Sequence, residues 1–311
     1  LLCVFTNKSI LFLQHQLNAP CFVFGDLNGS LKDLLRFSAT VFRTFPFIDS
    51  TNLLFLGNYT DAESTANLEC LIYLICMKIL SPGRVFLLRG SNELAGRQQI
   101  QMQDSDRSDE PLNDIVCNLL GQIFDSFPIA AVIEDSIFAS HSGIPREFSL
   151  SHMKLVCEYG SSASSSTAAS REGRLEASNS LSSVASTEYE HLMSELLLQV
   201  VYVRSTVPSL PQQLPICSSV GEPCFDGEAA PQQQPIGKGS SESVFNNRDF
   251  ELFISSSRLF CAVRSHQEFA EEGFQANSTF NLLTLVSSTK GAKVPACLFI
   301  DYKRIRLIRF E

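Results

Sequence analysis

The stretch Cys21-Phe-Val-Phe-Gly-Asp-Leu-Asn-Gly29 decides the fold, because an apolar run ends at a glycine and then presents an Asp and an Asn. A helical pattern begins directly afterwards, at Leu31. This is the pattern of a buried strand whose C-terminal turn carries oxygen ligands at the edge of a sheet. Most such turns only start a helix. Here the pattern recurs twice more, in order and at the spacing of β-α-β units. This recurrence favours a functional site over turns that only start helices.

The second and third strands end in similar polar turns. Asn52–Gly57 is followed by Asn58-Tyr-Thr-Asp61, and Arg84–Leu88 is followed by Arg89-Gly-Ser-Asn-Glu93. Helices are predicted between the strands, at about Leu31–Phe42 and, strongly amphipathic, at about Thr65–Leu80. Continuous apolar strands that alternate with helices indicate a parallel sheet covered on both faces.

The rest of the chain predicts one domain, made of residues 1–158 and 188–311, with a low-complexity insertion at 159–187. Both 159–187 and a second stretch, 207–243, have few large apolar residues and are predicted to be flexible. Further helices are predicted at Leu1–Leu17, about Leu112–Phe124, 188–204 and about Asn246–Ser256. Further strands are predicted at Ile129–Ile133, Ser136–Ser140, Leu259–Arg264, Phe280–Ser287, Ala296–Asp301 and Ile305–Phe310.

Composition narrows the class of function. The 311 residues are 44% hydrophobic and carry a net charge of −9 with no sustained basic run, which disfavours nucleic-acid binding. The longest apolar stretch, about Leu68–Leu80, contains Glu69 and Lys78 and is shorter than the roughly 20 residues of a membrane span. The ten cysteines form no Cys-x-x-Cys pair, which is typical of reduced, mostly buried thiols in an intracellular protein, cytoplasmic or nuclear.

Five motifs in sequence order carry a family resemblance. They are Gly25-Asp-Leu-Asn-Gly29, Leu54-Phe-Leu-Gly-Asn-Tyr-Thr-Asp61, Val85-Phe-Leu-Leu-Arg-Gly-Ser-Asn-Glu93, Ser140-His-Ser-Gly143 and Val263-Arg-Ser-His-Gln267. Outside the two low-complexity stretches, the chain resembles the phosphoprotein phosphatase family of metallophosphoesterases, the serine/threonine phosphatases, nearly end to end. The resemblance implies an α+β fold with a central β-sandwich flanked by helices (αββα). It also implies a site at one edge where water between two divalent ions attacks a phosphoester.

The metal-ligand positions implied by the resemblance are predicted to converge in one pocket, and they are Asp26, Asn28, Asn58, Ser91, His141 and His266. Asp26 and the two histidines keep the family's residue type, whereas Asn28 replaces a histidine and Ser91 an asparagine. Asn58 replaces the carboxylate that bridges both ions. Amide and hydroxyl oxygens are weaker ligands than carboxylates. The sequence therefore leaves two alternatives, one divalent ion (Mn, Fe or Zn) on the side of Asn58, His141 and His266, or none.

The implied catalytic positions have changed as well. Asn92 occupies the place of the histidine that protonates the leaving oxygen, while Asp61, which would orient that histidine, is retained. The arginine expected to clamp phosphate is Ala62. Arg89 matches a phosphate-binding residue of the family, and Lys238 falls near the position of a further phosphate-binding arginine.

Two functions remain open. In the first, the chain is a pseudophosphatase, a catalytically impaired phosphatase fold that acts as a binding or regulatory module for other proteins. In the second, it is a residual phosphatase that hydrolyses phosphoserine or phosphothreonine esters with one metal ion. A third possibility, the product of a decaying gene, is disfavoured by the intact hydrophobic pattern along every predicted strand.

Overall fold

The computed structural model describes residues 17–41, 50–61, 68–93, 110–146, 148–155, 191–192, 194–202, 245–266, 272–302 and 304–310. In these residues the strands are β1 (Cys21–Phe24), β2 (Asn52–Phe55), β3 (Val85–Leu87), β4 (Ala130–Ile133), β5 (Ile137–Ser140), β6 (Cys261–Arg264), β7 (Phe274–Ala276), β8 (Leu282–Leu285), β9 (Ala296–Asp301) and β10 (Arg304–Arg309). The longer helices are α1 (Leu31–Thr40), α2 (Glu69–Leu80), α3 (Glu110–Asp125) and α4 (Asn247–Ser256).

The strands form two five-stranded sheets, ordered β10-β9-β1-β2-β3 and β4-β5-β6-β8-β7. One hydrophobic cluster takes side chains from both sheets, including Val23, Leu54, Ala139, Val263 and Leu285, all of them buried. The sheets therefore pack face to face through a shared core. This confirms the predicted helix-flanked β-sandwich of the α+β class.

The parallel pairing predicted for the first three strands is confirmed, but the sheet that contains them is not parallel throughout. The strands β1, β2 and β3 are parallel, but β9 runs antiparallel to β1, and β10 runs antiparallel to β9. The second sheet is mixed too, because β4 and β7 lie antiparallel at its edges. The β9–β10 pair has a short connection, which is compatible only with antiparallel neighbours. Strand β7 was not predicted, since its three residues are too few to show a period.

Helices cover both outer faces of the sandwich. The helices α1, α2 and α3 contribute Leu34, Leu71 and Phe124 to a cluster on the first sheet. On the second sheet, α4 packs beside a π-helical turn at Leu198–Tyr202, within the region predicted as one helix at 188–204. The prediction that Thr65–Leu80 is strongly amphipathic is wrong for the described part, because α2 is apolar on its outer side too. Its Ile72 and Leu80 are more than half exposed.

Several predictions fall outside the described residues or need correction at one end. Leu17, predicted as the end of a helix, forms a β-bridge with Ile133, whereas residues 1–16 lie outside the described part. The insertion at 159–187 and the stretch at 207–243 also lie outside it. Four of the described cysteines are buried, but Cys76 is exposed. In the described part of the chain, no helix is long and apolar enough to cross a membrane.

Candidate metal and catalytic site

Five strand ends meet at one edge of the sandwich and supply the predicted site. Asp26 and Asn28 follow β1, Asn58 follows β2, Ser91 follows β3, and the two histidines follow β5 and β6. The carboxyl ends of parallel strands lie on the same side of a sheet, which explains the convergence within each sheet. What joins the two sheets here is a set of hydrogen bonds around Asp26.

Asp26 lies where the backbones of the two sheets come into contact. Its backbone forms a β-bridge with Val286, just beyond β8, and its N–H donates to the Ser265 hydroxyl (2.7 Å). The preceding residue is Gly25, whose N–H donates to the Ser287 hydroxyl (2.8 Å). A Cβ at Gly25 would stand 2.3 Å from the carbonyl oxygen of Leu285, so the approach of the sheets requires glycine here.

The turn after β2 is held by the carboxylate of Glu93, which is buried. Its oxygens accept hydrogen bonds from the backbone N–H groups of Asn58 (2.8 Å), Tyr59 (2.8 Å) and Gly90 (2.9 Å). Burial raises the pKa of Glu93 to about 7, and the three N–H donors oppose this shift. Glu93 therefore joins the turns after β2 and β3.

The Asn58 carboxamide is the centre of the site. Its Nδ2 donates to Asp26 Oδ2 (3.0 Å) and lies 3.3 Å from His266 Nδ1. Its Oδ1 accepts from the Ser91 hydroxyl (3.1 Å) and from the backbone N–H of Asn92 (3.0 Å). Both ends of this buried amide therefore contact other residues of the site.

The two imidazoles lie side by side, with ring centroids 4.9 Å apart. His141 is fully buried, and burial lowers its pKa to about 3, so the ring is neutral at physiological pH. Its Nδ1 is 3.0 Å from the Leu56 carbonyl oxygen and donates to it, which leaves Nε2 as an acceptor 3.4 Å from the Ser91 hydroxyl. His266 is partly exposed and adopts a left-handed backbone conformation (φ 52°), which is unfavourable for histidine.

Asp26 combines burial with incomplete hydrogen bonding. Burial raises the pKa of its carboxyl group, while His266 and the hydrogen bonds from Ser265 and Asn58 lower it. Its Oδ1 is buried and has no hydrogen-bond partner among the described residues, although His141 Nδ1 lies 3.6 Å away. An oxygen in this state is suited to a cation.

Asn28 is joined to the site through its backbone. Its N–H donates to the Asn58 carbonyl (2.8 Å), and its backbone is left-handed (φ 48°). Its side-chain nitrogen lies 3.3 Å from the position that a Cβ would take at Gly291. The side chain thus lies beside the loop after β8.

The predicted catalytic pair, Asn92 and Asp61, has other partners. Asn92 Nδ2 donates to the Thr60 carbonyl (2.8 Å). Asp61 forms an ion pair with the ammonium group of Lys290, which lies in the loop after β8. Lys290 did not emerge from the sequence as a site residue, because its loop follows no strand–turn motif.

Of the two predicted phosphate-binding residues, the structure describes Arg89. The guanidinium of Arg89 pairs with Asp125 at the end of α3 (2.8 Å), and its backbone N–H donates to the Pro128 carbonyl. Lys238 and Ala62 lie outside the described residues.

One structural carboxylate was also missed. Asp33 in the first turn of α1 is buried, and its Oδ2 accepts from the Ser30 hydroxyl (2.6 Å) and from both the N–H and the hydroxyl of Thr289 (2.8 Å each). Asp33 thereby fixes the loop that carries Lys290. The only signal for it in the sequence is Ser30, a helix N-cap residue three positions earlier.

The side chains fit one metal ion better than two. Asp26, His141 and His266 each offer a ligand atom, and these atoms all lie within 4.8 Å of one another. A second ion is disfavoured, because the position that the resemblance gives to the bridging carboxylate holds an amide whose N–H groups face Asp26 and His266. Asp26 thus joins the two histidines as a charged ligand candidate, and Asn58 lies beside the same group, 3.3 Å from His266 Nδ1.

Comparisons with known proteins agree with this architecture. Residues 19–166 match the calcineurin-like phosphoesterase family. A serine/threonine-protein phosphatase-like protein of Schizosaccharomyces pombe is 36% identical over 129 residues, which are 42% of this chain and 40% of that relative. The match thus spans well under half of the curated relative.

Two solved structures share the fold. A serine/threonine phosphatase of Saccharomyces cerevisiae with similarity to human phosphatase PP5 superposes with a TM-score of 0.65 at 17% identity, covering 99% of this chain and 86% of that one. A cold-active protein-tyrosine phosphatase of a Shewanella species gives 0.54 at 14% identity, covering 98% and 84%. The fold and the strand-end site define a metallophosphoesterase. Within that class, the match over residues 19–166 and the fungal relative support the phosphoprotein phosphatase family for this chain.

Proposed function

We propose that this chain is a pseudophosphatase, a serine/threonine phosphatase fold with impaired catalysis that acts as a binding or regulatory module. The observation that carries the proposal is the Asn58 carboxamide. At the position where the family bridges two ions with a carboxylate, this chain has an amide that donates to Asp26 at 3.0 Å. A donor in this place repels cations instead of binding them.

The leaving-group side supports the same proposal. Asn92 cannot deliver a proton at neutral pH, and its side-chain amide donates to the Thr60 carbonyl. General acid catalysis typically contributes ~10²–10⁴ in rate. Asp61 is paired with Lys290. Proton transfer to a leaving serine oxygen therefore has no evident donor among these groups.

A second function, residual phosphatase activity with one ion, is favoured by one observation. Asp26 Oδ1 is buried without a hydrogen-bond partner among the described residues, beside two histidines. Asp26, His141 and His266 would hold a single Mn, Fe or Zn ion. Such an ion would supply Lewis-acid polarisation of a phosphoryl oxygen.

We further propose protein partners for this module, inside the cell in the cytoplasm or nucleus. A mostly apolar cavity of about 470 Å³ opens away from the metal site, between the ends of the two sheets. Phe260, Phe280 and Tyr302 line it and are each more than half exposed. Exposed aromatic side chains around a cavity are typical of protein-binding surfaces. The thiols of the buried cysteines are free, as the reducing interior of a cell would keep them.

Hydrolysis assays test the proposal. We expect the unmodified chain with added Mn²⁺ to hydrolyse a phosphoserine peptide and an aryl phosphate no faster than the His266→Ala variant. The matched control is His152→Ala, which replaces an exposed histidine instead of a histidine of the site. Turnover well above that of His266→Ala, together with about one ion per chain by mass spectrometry, would replace the pseudophosphatase with the one-ion enzyme.

A further inference from the structure

We infer that the Asn58 carboxamide takes the structural place of the two metal ions. It holds the ligand residues together by hydrogen bonds, so the site is stable without ions. The inference concerns stability rather than turnover, and it holds whether or not the chain hydrolyses phosphoesters. Asn58 is a positioning residue in this role.

The orientation of the amide is fixed by its neighbours. Asn58 Oδ1 lies 3.0 Å from the backbone N–H of Asn92, which can only donate. Its Nδ2 faces a carboxylate oxygen of Asp26 at 3.0 Å, which in its charged form can only accept. Turning the amide over would place donor against donor and acceptor against acceptor. The N–H groups therefore point toward Asp26 and His266.

These N–H groups lie where the family places a cation between ligands. One amide nitrogen is 3.0 Å from Asp26 Oδ2 and 3.3 Å from His266 Nδ1. The opposite end of the same amide accepts from Ser91 and Asn92, which follow a different strand. A single neutral side chain thus joins the ends of β1, β2, β3 and β6, which is the task that bound ions otherwise perform.

A carboxylate at position 58 could not replace it. Aspartate would keep the bonds from Ser91 and Asn92, but it would place a second oxygen 3.0 Å from Asp26 Oδ2 with no proton between them. Like charges at such a distance repel strongly in a buried site, unless a cation or a shared proton separates them. The Asn58→Asp variant should therefore need an ion that the unmodified chain does not need.

The backbone also suits asparagine. Asn58 is left-handed (φ 55°), a conformation that asparagine adopts more readily than most residues. Its own N–H donates to Glu93, and its carbonyl accepts from Asn28. Every polar group of Asn58, in the backbone and in the side chain, has a partner within the site.

Thermal unfolding at pH 8 tests the inference, since a proton shared by two carboxyl groups is costly at that pH. In EDTA, we expect Asn58→Asp to lower the Tm by on the order of 5–10 °C, the size of effect that follows from leaving a buried charge uncompensated in a chain of this length. With Mn²⁺ in place of EDTA, most of that loss should be recovered. The unmodified chain should gain much less from Mn²⁺ than the variant does.

Two further variants complete the design. Asn277→Asp changes another buried asparagine, remote from the site, and should show no greater dependence on Mn²⁺ than the unmodified chain. Asn58→Ala removes the amide without adding charge, and it should lose stability in EDTA and recover less of it in Mn²⁺ than Asn58→Asp does. If Asn58→Asp fails to fold in EDTA, refolding by dialysis into Mn²⁺ should yield folded protein.

Several results would overturn the inference. An Asn58→Asp variant as stable in EDTA as the unmodified chain would show that the amide contacts are not needed. A loss of stability that Mn²⁺ does not reverse, or no refolding into Mn²⁺, would show that the amide does not stand in for an ion. A rise in Tm with Mn²⁺ that is equal in the variant and in the unmodified chain would show the same.

Discussion

Two sets of side chains meet at the strand ends. One supports the backbone of the turns, and the other occupies the positions that the family resemblance gives to metal ligands and the catalytic acid. The support set is Asp33, Glu93, Ser265 and Ser287, buried side chains that hydrogen-bond backbone groups of the turns. The ligand set is Asn28, Asn58, Ser91 and Asn92, which the family resemblance places at ligand and catalytic-acid positions. The support set holds the turns by hydrogen bonds to backbone groups, while the side chains of the ligand set are all uncharged.

The difference separates folding from chemistry. A buried N–H of a turn needs an acceptor whatever the protein does, so loss of Glu93 would destabilise any version of this fold. Ions serve the reaction and can also hold ligand residues together, so the ligand set can change where its new side chains hydrogen-bond one another. Asn58 does so with Ser91, and both Asn28 and Asn58 sit in left-handed turns that favour asparagine.

The largest expected effect comes from converting the ligand set back to the family pattern. We expect Asn28→His, Asn58→Asp, Ala62→Arg, Ser91→Asn and Asn92→His together to raise hydrolysis of a phosphoserine peptide in Mn²⁺ by ~10² or more over the unmodified chain. The intact support set would position the restored side chains. Residues that act as a unit are strongly non-additive, so each single reversion should gain little.

The control for this reversion is the fivefold variant that also carries His266→Ala. Its steady-state hydrolysis is measured in the same way. An inactive fivefold variant that still folds and binds two ions would show that the pocket geometry has also been lost, and that the support set alone is not sufficient to position ligands.

The next largest effect concerns the support set itself. Glu93→Gln replaces one acceptor oxygen with an NH₂ group that faces a backbone N–H, so one of three buried donors loses its partner. We expect a loss of about 1–3 kcal/mol in the free energy of unfolding at pH 8, where Glu93 is a carboxylate. Urea denaturation measures it, and Glu251→Gln at an exposed position of α4 is the matched control. Equal urea midpoints for Glu93→Gln and Glu251→Gln would count against the division into a support set and a ligand set.

A smaller effect is expected where the support set reaches the loop after β8. Asp33 and Asp249 are both the third residue of a helix and both interact with its N-cap, but only Asp33 also accepts hydrogen bonds from Thr289. We expect Asp33→Asn to destabilise the protein by roughly 1–2 kcal/mol and Asp249→Asn by less. Hydrogen exchange at the Thr289 amide should accelerate in the first variant alone. Unchanged exchange there would mean that the loop is held by other contacts.

The sequence could predict the site because its residues follow strands with a strong apolar signal. Asp26, Asn58 and Ser91 each come directly after such a run, and parallel pairing of β1, β2 and β3 brings the ends of those runs to one edge. The sandwich itself came from the family resemblance rather than from periodicity, which indicated one parallel sheet. The strands of a parallel sheet and the strands of one sheet in a mixed sandwich are both buried on two faces. Both therefore show the same continuous apolar runs in the sequence.

What the sequence could not predict depends on partners distant in the chain. Asp33 bonds with Thr289, and Asp61 pairs with Lys290, more than 200 positions apart in each case. No local pattern encodes such pairs. The amphipathic interpretation of α2 failed for a similar reason, because Ile72 is apolar yet exposed, and only the packed fold shows which side of an apolar helix faces out.

The smallest expected effect is at the ion pair of Lys290 with Asp61, which belongs to neither set. The Lys290 side chain is 41% exposed and that of Asp61 is 22% exposed, so solvent screens their attraction. A double-mutant cycle with Lys290→Met and Asp61→Asn should give a coupling of about 0.2–1 kcal/mol, and that coupling should shrink in 0.5 M NaCl to about half or less because salt screens exposed charges. Lys154→Met, an exposed lysine remote from the pocket, should show no coupling with Asp61→Asn. A salt-independent coupling above ~2 kcal/mol would mean that Lys290 is part of the support set. Asp61 would then stabilise the fold instead of orienting a catalytic group.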